Sequence, residues 1–412
     1  MSSPTPAPAA AQRPAVLTVL LLASTLTVMA GAILMPVVEV IRGELGVSGT
    51  AAGLILTAHG LSLAVASPAV GWLIDRHGIR LPLAGGLVLY GIAGGAGLVT
   101  DSYWMLIATR IVFGVGAAAV FAGTTVALLS FYQGPERDRV MGWRATAISL
   151  GGVVWPLIGG GLGGVSWHAP FGIYLVGIPV GLATLWALPA ERARTARPAG
   201  SGGVVQLLRA NPALLGFYLV QATASVLLYA LGVFQPQRLA DLGVTEPFVV
   251  ALYNVVMTVL MSLVGLVYAR LRGALGYATL LKVSAACWAL AFVLLATVEQ
   301  SALLLVASAL FGLGQGMSFP ALTVLIGEGA PAELRGQATS LSGTFSFLGQ
   351  FVSPLVFGPL IAATSLTTGF LTAAGLAAVV LLALLPMRAA RPAAAPAAKP
   401  QPAAASAAQA QR

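Results

Sequence analysis

Charge is what this sequence has least of. Asp, Glu, Lys and Arg together make up 8% of its 412 residues, against 58% hydrophobic residues, and a water-facing surface cannot be built from so few ionic groups. Lipid is therefore the expected solvent. Histidine is scarcer still: His59, His77 and His168 are spread through the chain, too far apart in sequence to suggest a metal-ligand cluster, and neither a metal nor another cofactor is expected. The single cysteine, Cys287, excludes a disulfide framework and a cysteine-based metal site, and inside an apolar stretch it reads as packing. There is no G-x-x-x-x-G-K phosphate loop, so ATP-driven work is not indicated, and an enzyme is not expected.

Long apolar runs are abundant. A bilayer core of about 30 Å takes about 20 apolar residues of helix, and twelve such stretches can be placed, separated by short polar breaks. They run near Ala15 to Val38, Ala51 to Ile74, Leu81 to Val99, Tyr103 to Ala127, Val140 to Val165 and Pro170 to Leu188. The second series runs near Ala213 to Phe234, Phe248 to Leu271, Thr279 to Val298, Ala302 to Gly327, Gln337 to Ala362 and Thr367 to Leu385. The first run is too long for the apolar core of a secretory signal, and eleven more follow it. Forty-nine glycines suit close packing of helices in lipid.

The net charge of +9 does not form a nucleic-acid patch, because the basic residues sit in alternate loops. With the N-terminus placed in the cytoplasm, Arg76, Arg80, Arg137, Arg139, Arg144, Arg209, Arg270, Arg272, Lys282, Arg335 and Arg388 all lie on or near the inner side, and Arg42 and Arg238 lie outside. That asymmetry predicts a multi-pass protein of the cell (inner) membrane with both termini cytoplasmic. Residues 1–14 read as a disordered N-terminus, 15–188 as one six-helix bundle, 189–211 as a cytoplasmic linker carrying Gly200 to Gly203, 212–387 as a second bundle and 388–412 as an Ala/Pro-rich disordered tail. An offset of about 195 residues aligns Gly71–Arg76 with Gly265–Arg270, so the halves read as degenerate repeats that can rock about a site at their interface.

After the second span comes Gly71-Trp72-Leu73-Ile74-Asp75-Arg76-His77-Gly78-Ile79-Arg80. This loop resembles the signature loop of the major facilitator superfamily, in the place where that family carries it. The resemblance implies an all-α membrane fold of two pseudo-symmetric six-helix bundles, with Gly71, Asp75, Arg76, Gly78 and Arg80 as gating residues. Independently of it, Asp75 beside Arg76 and Arg80 is expected to hold a charge-assisted cluster at the membrane boundary; the plainer reading is a tight positive-inside turn.

Arg110 sits within the fourth span, where a charge is costly without a cavity or a partner. Its stretch resembles the family's fourth-helix motif, whose arginine is implicated in proton coupling; the alternative is a side chain reaching up to the outer interface. In the fifth span Gly152, Pro156, Gly160 and Gly164 fall four apart on one helix face. With Gly159, this stretch is similar to the antiporter signature of the family's drug-efflux members. It departs from that signature at Trp155, which puts close sealing in doubt, and glycine-rich packing alone would also explain it. Ser166–Phe171 is similar to the outer turn of efflux-type members, with His168 read as an interfacial loop residue.

Counting rise along the helices puts Glu39 at the outer end of span one, Arg110 roughly 10 Å below that surface and His59 slightly deeper on span two, so the three are expected to share an outer cavity in which Glu39 or His59 takes up a proton beside Arg110. Glu39 reads equally as an exposed loop carboxylate after Pro36, and His59 as a helix-to-helix hydrogen bonder. Gln221, Tyr229, Asn254, Gln315 and Gln350 are the candidates to line a substrate cavity, although polar pairing between helices would explain each. The leading expectation is a secondary carrier, functional as a monomer, that exports lipophilic small molecules in exchange for protons. The alternative is uptake of a small nutrient or organic anion anchored by Arg110. A receptor or scaffold without transport is a third, different class.

Overall fold

A computed structural model describes residues 14–189, 207–209, 211–331 and 334–387. The expected disordered termini and most of the expected linker lie outside the described residues. What is described is helical, with no strand.

The first half contains α1 (Pro14–Glu44), α2 (Gly49–His77), α3 (Arg80–Leu98), α4 (Tyr103–Phe131), α5 (Gly134–Gly163) and α6 (Ala169–Ala187). The second contains α7 (Ala213–Asp241), α8 and α9 (together Pro247–Thr297), α10 (Ser301–Gly329), α11 (Arg335–Ala363) and α12 (Leu366–Leu384). The helix 247–297 is 51 residues long, far more than one bilayer crossing needs, and it is broken at Gly276, where φ is 71° and ψ is 165°. The break makes it two spans. Gly78 has φ 78° and ends α2 at the corresponding turn of the first half.

Local signals set several helix ends. Ser48, Ser102 and Ser365 cap α2, α4 and α12 by accepting the backbone N–H three residues on. Near Pro36, which lacks an amide hydrogen, α1 tightens into a 3₁₀ turn at Met35–Val37 before resuming at Val38.

Each crossing reverses direction, so α1 begins, α6 ends, α7 begins and α12 ends on one side, here called the linker face; the other is the far face. The halves meet mainly along two seams, α5 against α8 and α2 against α11, and α7 also touches α1 and α2 toward the far face. Both seams are shut toward the far face. In α11, Gly349, Gln350, Ser353, Pro354, Phe357 and Gly358 are buried, whereas of residues 335–348 Ala338 alone is buried. The pattern repeats in α5, where of residues 134–150 Val140 alone is buried and the buried glycines begin at Gly151. Gly142 and Gly336, equivalent under an offset of 194 residues, have no neighbour within 4 Å of where a side chain would start. The molecule is thus closed at the far face and splayed at the linker face.

A side chain at Gly276 would be held at positive φ with an extended ψ, a region essentially reserved for glycine that costs another residue about 1–3 kcal/mol. Gly276→Ala is expected to lower the thermal unfolding midpoint of the detergent-solubilised protein, whereas Gly273→Ala, in the same turn region with open space around it, leaves the midpoint unchanged.

Candidate functional site: the inter-half seams and the buried arginine

Helix α5 lies between two partners, and its two neighbouring four-residue stripes face one each. A methyl group built at Gly152 would lie 2.8 Å from Thr258, one at Gly160 would lie 2.6 Å from the Pro247 carbonyl oxygen, and one at Gly164 would lie 3.0 Å from Glu246. All three neighbours belong to the second half. One residue back, Gly151 faces Thr25 and Val28, Gly159 faces the Ile33 carbonyl and Gly163 faces Val37, all on α1. Trp155 belongs to this second stripe: its indole Nε1–H donates to the Thr25 carbonyl at 3.1 Å. The indole therefore points into its own half, and the sequence-based concern that it would prop the halves apart is corrected.

The other seam is built alike. Gly349 faces the Ala222 carbonyl and Ser353 Oγ donates to the Val226 carbonyl at 2.7 Å, both on α7 of the same half. One residue further on, Gln350 reaches His59, Pro354 packs on Gly53 and Gly358 packs on Thr50, all on α2 of the other half. An offset of 194 residues superposes Pro156, Gly160 and Gly164 on Gln350, Pro354 and Gly358.

Arg110 is fully buried, and among the described residues it has no carboxylate partner. Its guanidinium carbon stands 4.7 Å from the ring centre of Phe113, 5.1 Å from Phe171 and 4.9 Å from Tyr174, and Nη2 donates to the Gly94 carbonyl at 2.8 Å. Three ring faces and one charge-assisted bond thus replace water around a cation, an arrangement suited to a planar, weakly hydrated group. The ring hydroxyls reach outward to span one: Tyr174 donates to the Ala30 carbonyl at 3.0 Å, and the adjacent Tyr90 donates to the Leu26 carbonyl at 2.7 Å. The cage ties α1, α3, α4 and α6 together. It excludes the interface-reaching alternative for Arg110, and in this conformation it leaves no opening through which an anion could reach the guanidinium.

His59 is buried one ring away, edge-on to Phe113 at 5.6 Å. Glu39 does not join them. Its carboxylate oxygens take Nε and Nη2 of Arg42, three residues on along the same helix, because Glu39 and Arg42 lie on one face of a short helical turn. The expected trio is thus a pair, His59 with Arg110, and Glu39 is a helical, partly exposed residue rather than a loop carboxylate.

The gating loop also differs from expectation. Asp75 is exposed and forms no ion pair among the described residues. Arg76 lies over the Trp72 ring at 5.3 Å, and Arg80 donates to the Leu185 carbonyl at the end of α6. The charge cluster is absent because Gly78 turns the chain between Arg76 and Arg80, sending them to different neighbours. Gly71 has open space around it.

Of the five cavity candidates, Gln221 donates to Ser346 at 3.0 Å and Gln315 donates to the Ala224 carbonyl at 3.4 Å, both pairings within the second half. Tyr229 brings its hydroxyl against Gly31 of the first half. Asn254 is buried, and its Oδ1 lacks a hydrogen-bond partner. Gln350 crosses the seam. Sequence reasoning missed Phe113, Phe171 and Tyr174 as the lining of Arg110; the available signal was an aromatic residue three positions after the arginine and two more opening the sixth span.

Known families settle the class. The family model described as Major Facilitator Superfamily matches residues 20–354 and again 274–411. The chain belongs to the major facilitator superfamily. It is accordingly a multi-pass membrane transporter of small molecules and not an enzyme. Among curated relatives, it is 25% identical over 155 residues to multidrug resistance protein 1 of Bacillus subtilis, a match covering 38% of this chain and 40% of that one. It is 24% identical over 139 residues to the quinolone resistance protein NorA of Staphylococcus aureus, covering 34% of this chain and 36% of the relative. The aligned part is thus well under half of each relative's length. Among solved structures, a nucleoside transporter NupG variant (TM-score 0.75, 14% identity, covering 90% of this chain and 99% of that one) and a D-xylose–proton symporter (0.75, 15%, 90% and 97%) share the fold.

Two substitutions probe this architecture. Arg110→Lys replaces a broad guanidinium by a compact ammonium that cannot reach three rings and the Gly94 carbonyl at once, and a loss of about 2 kcal/mol is expected as a lowered thermal midpoint in detergent. Gly160→Ala forces α5 off the Pro247 carbonyl at an overpacking cost of about 1–3 kcal/mol. Spin labels placed across the α5–α8 seam should report a longer mean distance on the far face.

Proposed function

We propose that this transporter exports lipophilic small molecules across the cell membrane in exchange for protons, with the linker face cytoplasmic. The observation that carries the reading is the two-sided packing of α5. Gly152, Pro156 and Gly160 belong to a stripe that faces the other half, and Gly159 to one that faces α1. This is the part of the chain similar to the antiporter signature of efflux members, and Trp155 does not obstruct it. The similarity to multidrug and quinolone resistance proteins supports the same direction. The apolar lining suits the substrate class: a groove of about 470 Å³ between α2, α4 and α11 is walled by Leu54, Ala58, Leu61, Val65, Ile111 and Phe351, within the size range of small-molecule pockets. With the positive-inside orientation, the splayed linker face makes this an inward-open form, ready to load from the cytoplasm or the inner leaflet.

The cavity candidates enter the proposal with different weight. Tyr229 and Asn254 keep a hydrogen-bonding group for a substrate, whereas Gln221 and Gln315 have pairings that a substrate must displace. Uptake of an organic anion anchored by Arg110 finds no support in the closed cage around that residue.

Expression in cells lacking their own drug pumps is expected to lower the steady-state accumulation of lipophilic dyes and quinolones several-fold, with the effect abolished by collapsing the proton gradient. In acidified proteoliposomes, adding an exported compound should release protons. Accumulation that rises on expression, or efflux indifferent to the proton gradient, would overturn the reading.

A further inference from the structure

Each seam is closed by apolar contacts and small residues; Glu246 at the end of the α5–α8 seam is exposed, whereas the α2–α11 seam carries a buried titratable group that touches across it. His59 comes from the first half and Gln350 from the second; both are 3% exposed, and His59 Nε2 lies 3.3 Å from Gln350 Nε2. Gly60 makes the approach possible, since a methyl group at that position would lie 3.0 Å from the Gln350 amide carbon. The equivalent of Gln350 in the first half is Pro156, which has no hydrogen-bonding side chain, so the device exists at one seam and not at the other.

An amide nitrogen donates and does not accept. With the amide nitrogen toward it, the imidazole Nε2 is the acceptor and His59 is neutral. Protonation puts an N–H where the acceptor was. The amide can turn over and offer its oxygen, so the bond itself is recoverable, but the charge is not accommodated. The charged side chain acting on His59 is Arg110 of α4, on the far side of Phe113; α11 brings the neutral Gln350. The two ion pairs among the described residues, Glu39–Arg42 and Asp101–His168, involve neither His59 nor Arg110. A closed seam with protonated His59 would hold two buried cations and no counter-ion, which is strongly unfavourable in lipid. An open seam lets water reach the imidazolium.

We propose that the His59–Gln350 pair is a proton-sensitive clamp between the two halves: neutral His59 holds the far-face α2–α11 seam shut, and protonation of His59 opens it. The sign follows from linkage, because the open form binds the proton more tightly and is favoured as pH falls. The clamp concerns the opening of the seam and stands or falls independently of which molecule is carried or in which direction.

The test is a distance measurement that needs no substrate. With Cys287→Ser as background, spin labels at Gly49→Cys on α2 and Gln237→Cys on α7 report the far-face gap; a methyl group at Gly49 would lie 3.7 Å from the Gln237 side-chain oxygen. Pulsed distance distributions are recorded in lipid nanodiscs from about pH 8 to pH 5, the range in which an imidazole in water takes up its proton. The expected result is one short distance at high pH and a growing long-distance population on acidification. His59→Gln, which keeps a neutral hydrogen bonder at the seam, should stay closed throughout. Gln350→Glu should also stay closed on acidification, because the new carboxylate pairs with the imidazolium, an effect that a merely structural role for Gln350 would not produce. A wild-type distribution that ignores pH would overturn the clamp, as would a pH response that survives in His59→Gln or is unchanged in Gln350→Glu.

Discussion

Two helix bundles that must part and rejoin in lipid cannot be held by the hydrophobic effect, since lipid chains are as apolar as leucine. What holds them is the closeness with which backbone meets backbone at the far face, and closeness requires that side chains be missing there. In α5 and α11 the same solution appears twice. One stripe of small residues fixes the helix to its own half, through Gly151, Gly159 and Gly163 to α1 and through Gly349 and Ser353 to α7. The next stripe meets the opposite half, through Gly160 to α8 and through Pro354 and Gly358 to α2. A seam made this way is held over a short length and can be released without unmaking either bundle, as a rocking transporter requires.

The buried arginine belongs to the other half of that requirement. A bundle that moves as a rigid body needs internal ties stronger than its seams; Arg110 joins α4 to α3 and α6 through three ring faces and a carbonyl, and the hydroxyls of Tyr174 and Tyr90 extend the tie to α1. Because its charge is balanced by rings rather than by a carboxylate, it remains a standing positive field beside His59, and that field makes the protonation state of His59 matter to the seam. Arg110 thus acts on its neighbours by position, without contacting a substrate in this conformation.

Much of this was legible in the sequence. Twelve apolar stretches gave the helices, the offset of about 195 residues gave the repeat, and the four-residue spacing from Gly152 to Gly164 gave a face that approaches another helix. Periodicity reports which residues share a face but not which partner the face meets, so it does not tell that Trp155 turns into its own half or that Glu39 turns away from His59 and Arg110. Depth along a helix is one coordinate. The azimuth that turned Glu39 toward Arg42, and the turn at Gly78 that parted Arg76 from Arg80, depend on tertiary packing. The ring cage of Arg110 was hidden for a similar reason, because its members come from two spans and single aromatic residues in an apolar run look alike.

The central claim, that turnover requires the far-face seam to open, is tested most directly by tethering it. In the Cys287→Ser background, Gly49→Cys and Gln237→Cys joined by a short thiol-reactive linker should arrest efflux of a lipophilic dye that the unlinked protein exports, with transport returning when a cleavable linker is cut. Efflux at the unlinked rate with the tether in place would contradict the account.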